Sequence, residues 1–144
     1  MTTIQISTIY SLTGECHNQY GGIASDGVYF FCTVPRSNEI HRFDCNFTAC
    51  TVFTVRRPYA AITYDVYDKC FWAVSPKNDA TIYQLDINLR EINKITPRYP
   101  DQNPDCLTGI CCSPNHNSLT TTSLKHIYTL DKDPGGNVLT DGIL

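Results

Sequence analysis

Ile40-His41-Arg42-Phe43-Asp44, Ile82-Tyr83-Gln84-Leu85-Asp86 and Ile127-Tyr128-Thr129-Leu130-Asp131 are three copies of one phrase. Each lies downstream of a small residue followed by isoleucine: Gly22-Ile23, Ala61-Ile62 and Gly109-Ile110. The offset between the two signals is nearly constant. A phrase at a fixed offset marks an internal repeat, and a repeat sets the architecture of the whole chain. Around it, short apolar runs alternate with turn clusters. Long amphipathic helical patterns do not occur, so the chain reads as all-β.

The first unit reads as four strands, over residues 22–25, 28–34, 39–44 and 51–55. Asp26-Gly27 is a hairpin signal between the first two. The second unit repeats the grammar over 61–64, 70–74, 81–86 and a strand within 90–95. The third follows a proline-rich link and reads as 108–112, 119–122, 125–131 and 138–140. Pro35 and Pro76 fall where the second strand of a unit ends, a place where proline stops pairing without disturbing the sheet. Partial copies occur at both ends, as Ile9-Tyr10-Ser11-Leu12 and Gly142-Ile143.

Ser75-Pro76-Lys77-Asn78-Asp79 with Ile82-Tyr83-Gln84-Leu85-Asp86, and Gly22-Ile23-Ala24-Ser25-Asp26-Gly27, resemble blades of the broad YVTN/NHL-like β-propeller group. The resemblance covers about residues 20–140. It implies an all-β propeller of four-stranded antiparallel blades, at about 20–55, 59–95 and 107–140, in a single domain over 1–144. Kelch, WD40 and Asp-box signatures are missing. The group includes enzymes, ligand binders and scaffolds, so the resemblance implies fold rather than activity. Apolar residues on both alternating faces of 82–85 fit a sheet packed between two others. The small residue before each isoleucine fits innermost strands crowded around a channel.

Closed propellers have typically about four to eight blades. Three blades alone are expected to leave two blade faces of apolar and aromatic residues open to water, which rarely persists. Two chains closing a six-bladed ring is the favoured solution, because two-fold dimers are the commonest oligomers. The head segment, residues 4–12, would then complete a blade at the seam. A piece of a longer propeller, or a three-sheet prism or sandwich, are the other readings.

Composition narrows the function. Eleven Lys and Arg against fourteen Asp and Glu give a net charge of −3, which argues against a nucleic-acid partner. The N-terminus lacks the basic and apolar regions of a signal peptide, and no run approaches the about 18 apolar residues of a membrane span. The expectation is a cytoplasmic protein with no membrane partner. The eight cysteines are accordingly expected to be free thiols, with Cys32 and Cys70 acting as small buried hydrophobes. Neither Cys45 and Cys50 nor Cys111-Cys112 has zinc-site spacing, so no metal or cofactor is expected.

No catalytic motif emerges. A Cys16/His116 pair is conceivable, but spacing does not bring the two together. A G-x-S-x-G elbow and a phosphate-binding glycine loop are both missing. His41 and His126 read as packing residues. Asp44, Asp86 and Asp131 read as turn residues accepting backbone N–H bonds after the third strand. On the face where propellers of this kind bind ligands, the resemblance places His17, Tyr20, Arg56, Arg57, Tyr59 and His116, with Asn18, Arg36, Lys77 and Asp79 nearby. Arg, Tyr and His are good recognition residues; Tyr20 and Tyr59 also suit packing at the top of the core. The expected function is a non-catalytic, self-associating binding module for a small-molecule or protein ligand. The alternative is a propeller lyase or hydrolase acting on a small anionic or sugar-like substrate.

Overall fold

The computed structural model describes residues 3, 5, 8–10, 19–77, 80–97, 106–113, 118–132 and 138–143. The strands form three four-stranded antiparallel sheets. Blade 1 holds β1 (Ile23–Ser25), β2 (Phe30–Val34), β3 (Glu39–Phe43) and β4 (Cys50–Thr54). Blade 2 holds β5 (Ala61–Asp65), β6 (Cys70–Val74), β7 (Ile82–Leu85) and β8 (Glu91–Ile95). Blade 3 holds β9 (Gly109–Cys112), β10 (Ser118–Thr122), β11 (Ile127–Lys132) and β12 (Val138–Ile143). Each sheet is a meander of sequence neighbours. No helix among the described residues is long and apolar enough to cross a membrane.

The sheets stack in chain order. β1 touches β5 and β5 touches β9, so the first strand of each blade is innermost and the fourth is outermost. Blade 2 is the sandwiched layer, and its residues show it: β6 is buried throughout. Phe71 and Ala73 join Phe31, Ile40, Tyr83 and Leu85 in the core toward blade 1. Trp72 and Val74 join Ile82, Leu119, Tyr128 and Leu130 in the core toward blade 3. A continuous apolar strand is what two-sided burial requires. Each such large side chain contributes about 1.5–3 kcal/mol on burial.

Close approach of the innermost strands sets the small residues. A Cβ on Gly22 would lie 2.9 Å from Ala61 Cα and 3.2 Å from Ile62 N. Asp44 and Asp86 set the turns after the third strand, whereas Asp131, expected to do the same, lies within β11 opposite Ser118. Asp44 Oδ1 accepts the backbone N–H groups of Thr48 and Ala49 at 2.7 and 3.2 Å. Asp86 Oδ1 accepts those of Asn88 and Arg90, each at 2.9 Å. Three residues after each aspartate the chain turns left-handed, at Phe47 (φ 56°) and Leu89 (φ 63°). These hydrogen bonds hold a strained turn that lets both side chains point back onto their blades.

The two end faces differ from the expectation that both would be open and apolar. On blade 1, Cys32, Val34, His41 and Phe43 of the outward face are buried, with the Tyr20 ring edge-on to His41 and Phe43. Ile23 on the same face remains exposed. The outward face of blade 3 carries Cys111, Thr120 and Thr129 in register, with Ser118, Thr122 and Ile127. It is open but mostly small and polar. The expectation of free thiols also needs correcting at one position. Cys50 is disulfide-bonded, while Cys32, Cys45, Cys70, Cys106, Cys111 and Cys112 are free.

Candidate functional site

Residues 55–60 carry the chain from β4, on the rim of blade 1, to β5, at the centre of blade 2. This crossing places Arg57 against the blade 1–blade 2 seam. Arg57 donates from Nε to Glu91 Oε2 at 2.9 Å and from Nη2 to Glu91 Oε1 at 3.2 Å. Its Nη1 donates to Tyr83 Oη at 3.1 Å, with the guanidinium 4.3 Å from the Tyr83 ring centroid. Tyr59 Oη donates to Glu91 Oε2 at 3.2 Å. Glu91 is only 8% exposed, so its charge needs these partners. Burial, then the Glu91 carboxylate, pushes the Tyr59 hydroxyl far above its ordinary value. Burial alone would lower Arg57, but the Glu91 hydrogen bonds outweigh it and hold the guanidinium charged.

Arg57 and Tyr59 are therefore brought together, as seam residues. Arg56, beside them, is exposed. It lines a cleft of about 520 Å³ between the rims of blades 1 and 2, with Phe53, Val55, Leu89 and Arg90 among the walls. An adjoining cleft of about 330 Å³ shares Arg56 and Glu91 and adds Arg57, Ile92, Asn93 and Lys94. Sequence reasoning missed Glu91, Arg90 and Lys94. The available signal was the polar, charged character of 90–94, unusual for a strand beside a core.

Tyr20 lies on the outward face of blade 1 and does not join this cluster. Its hydroxyl lies 2.8 Å from His41 Nδ1, and His41 Nε2 lies 3.0 Å from Glu39 Oε2. Burial, then the neighbouring Cys32 and Glu39, pushes the Tyr20 hydroxyl up to about 12. His41 is fully buried with both ring nitrogens engaged. Arg36 and Lys77 are exposed in the turns after β2 and β6. His17, Asn18, Asp79 and His116 lie outside the described residues, as does Cys16. Among the described residues, no three His, Cys, Asp or Glu side chains are grouped to hold a metal ion.

A second ionic cluster joins blades 2 and 3. The Lys132 ammonium contacts Asp65 Oδ2 directly and lies 3.1 Å from Asp68 Oδ2. Asp65 also accepts from Trp72 Nε1 at 3.2 Å and from the backbone N–H of Tyr67 at 3.1 Å. Burial raises the Asp65 carboxyl, but the Lys132, backbone and Trp72 hydrogen bonds outweigh it and hold the group below its ordinary value. These partners among the described residues join blade 2 to blade 3, so this cluster is part of the scaffold.

No protein-family model matches the sequence, and no curated protein matches it. Solved structures do share the fold. Glutaminyl cyclase of Myxococcus xanthus is similar at a TM-score of 0.66 and 11% identity, over 90% of this chain and 53% of that one. Hydrazine synthase of Kuenenia stuttgartiensis is similar at 0.62 and 15% identity, over 88% of this chain and 37% of that one. A chain of the mitotic checkpoint complex is similar at 0.59 and 9% identity, over 75% of this chain and 34% of that one. These are propeller-type folds, and the likeness places the three stacked sheets among propeller-like blades. The chain spans between a third and just over half of the length of these structures.

Proposed function

We propose that this chain is a non-catalytic binding module with YVTN/NHL-like blades, completed by a second copy into a six-bladed ring. One observation carries the reading. Tyr20, Tyr59 and Leu107 hold equivalent places, two residues before Gly22, Ala61 and Gly109. Tyr59 is buried in the core between blades 1 and 2, its ring 5.8 Å from that of Tyr83. Leu107 is buried in the core between blades 2 and 3 with Tyr128. Tyr20 packs in the same way, its ring 5.4 Å from that of His41, the repeat equivalent of Tyr83. Tyr20 thus marks a seam on the side of blade 1 away from blade 2. Cys32, Val34, His41 and Phe43 on that side are already buried within the one chain, so the outward face of blade 3 would close the ring against the exposed edge of blade 1 at Ile23.

The rim cleft supports binding over chemistry. It gathers Arg and apolar groups, while the hydrogen-bonded His41 is fully buried and has no open position for a substrate. A thermal-shift screen of anionic and peptide ligands tests this reading. Wild-type protein is expected to be stabilised by at least one ligand, with the shift lost in Arg56→Ser. A wild type that no ligand stabilises, or turnover of a small anionic or sugar-like substrate, would count against it.

A further inference from the structure

The cleft between β4 and β8 has more specific chemistry than binding alone requires. We propose that it takes an extended acidic peptide segment of a partner protein. The inference rests on the binding-module reading but not on ring closure, because both walls belong to one chain.

Charge is the first argument. Arg56, Arg57, Arg90 and Lys94 line the two adjoining clefts, and Glu91 is their single carboxylate. Glu91 is already committed to Arg57 and Tyr59. Among the described residues the side chains of Arg56, Arg90 and Lys94 make no ion pair or hydrogen bond, and all three are exposed. The nearby Asp86 turns its Oδ1 onto the backbone of its own turn. The chain as a whole carries a net charge of −3, so the cleft is a local reversal of sign. A cleft lined by one sign of charge concentrates the opposite charge.

Shape and edge chemistry decide the class of anion. The two clefts share Arg56 and Glu91, so they adjoin, and together they are lined by consecutive residues 88–94. Apolar groups accompany the cations: Phe53, Val55 and Leu89 in one section, and Ile92, 57% exposed, in the other. A free phosphate has no use for apolar walls. One wall, β8, is the terminal strand of its sheet. A terminal strand presents unpaired backbone groups on which an extended peptide can add as a further strand. Alternating acidic and apolar side chains on such a peptide would meet the cations and Ile92 in turn.

A fluorescein-labelled peptide of alternating Glu and Leu tests the proposal by anisotropy. The expected result is saturable binding that weakens as salt rises. The Arg56→Glu/Lys94→Glu variant should bind on the order of tenfold more weakly or less. Lys125→Glu, an exposed change in blade 3, should bind as wild type does. Circular dichroism should show all three proteins equally folded. Absence of binding to wild type, or equal binding to the double variant, would overturn the proposal. Equal displacement by inorganic phosphate would reassign the cleft to small anions, and equal displacement by oligothymidylate to nucleic acid; both overturn the peptide class. If the peptide fails while another ligand still stabilises the wild type, the binding-module reading stands without this inference.

Discussion

Arg57 and Glu91, 34 residues apart, meet in a two-pronged pair at 2.9 and 3.2 Å across the seam between blades 1 and 2. The pair fixes the crossing segment between two blades. It also pins Arg57 at the edge of the cleft, whereas Arg56 beside it is exposed in the same cleft.

Removing the charge at Glu91 should loosen that seam. Glu91→Gln keeps the shape but weakens the hydrogen bonds from Arg57 and Tyr59. Arg57 is 28% exposed, and solvent screening reduces its share. The expected loss is about 1–2 kcal/mol in urea unfolding. Tyr59→Phe, which deletes one hydrogen bond, should cost about 0.5–1.5 kcal/mol. Unchanged midpoints in both variants would remove the seam role.

Lys132 and Asp65 should behave as a buried pair, with side chains 1% and 0% exposed. Lys132→Met takes the ammonium away from a buried carboxylate, which keeps its Trp72 and backbone donors, and is expected to cost about 3–5 kcal/mol. Asp65→Asn/Lys132→Met, which removes both charges, should be less destabilised than Lys132→Met alone.

The same pair has a defined pH signature. The folded Asp65 carboxyl is lowered, so its contribution is present above the unfolded value of about 3.9 and fades as pH falls through the lower folded value. Lys132 is raised: burial lowers it, but Asp65 and Asp68 outweigh that. Its contribution is present below the unfolded value of about 10.4 and fades as pH rises through the higher folded value. Wild type should therefore lose its stability advantage over the double variant in acid and in strong alkali, and keep it between. A constant advantage across acid pH would contradict the pairing.

Two glycines should fail for different reasons. Gly22→Val places a Cβ against the backbone of Ala61 and Ile62, and is expected to cost about 1–3 kcal/mol or more by overpacking. Gly27→Ala has nothing within 4 Å of its Cβ, but φ is +91°. It should cost about 1 kcal/mol from backbone conformation alone. Thermal unfolding of the two variants separates crowding from strain.

Much of the architecture was legible in the sequence because it is written locally. The apolar run of β6 reflects burial on both faces. The recurring Asp44 and Asp86 bond to backbone within five residues, and Gly22 and Ala61 face each other because each begins an innermost strand. What was hidden depends on which blades touch. Nothing in the vicinity of Arg57 names Glu91 as its partner, and nothing near Asp65 names Lys132. Arg56 and Arg57 are adjacent and alike in sequence, yet one is exposed in the cleft and the other is held by Glu91 at its edge. The disulfide at Cys50 was missed because cysteine pairing depends on proximity in space, which spacing along the chain does not show.

Ring closure by two copies is the central claim, and solution mass tests it most directly. Size-exclusion chromatography with light scattering should give twice the 16.2 kDa chain mass. The dimer should weaken when Thr120, on the outward face of blade 3, is replaced by Arg. A stable species at 16.2 kDa across the concentration range would contradict closure by a second copy.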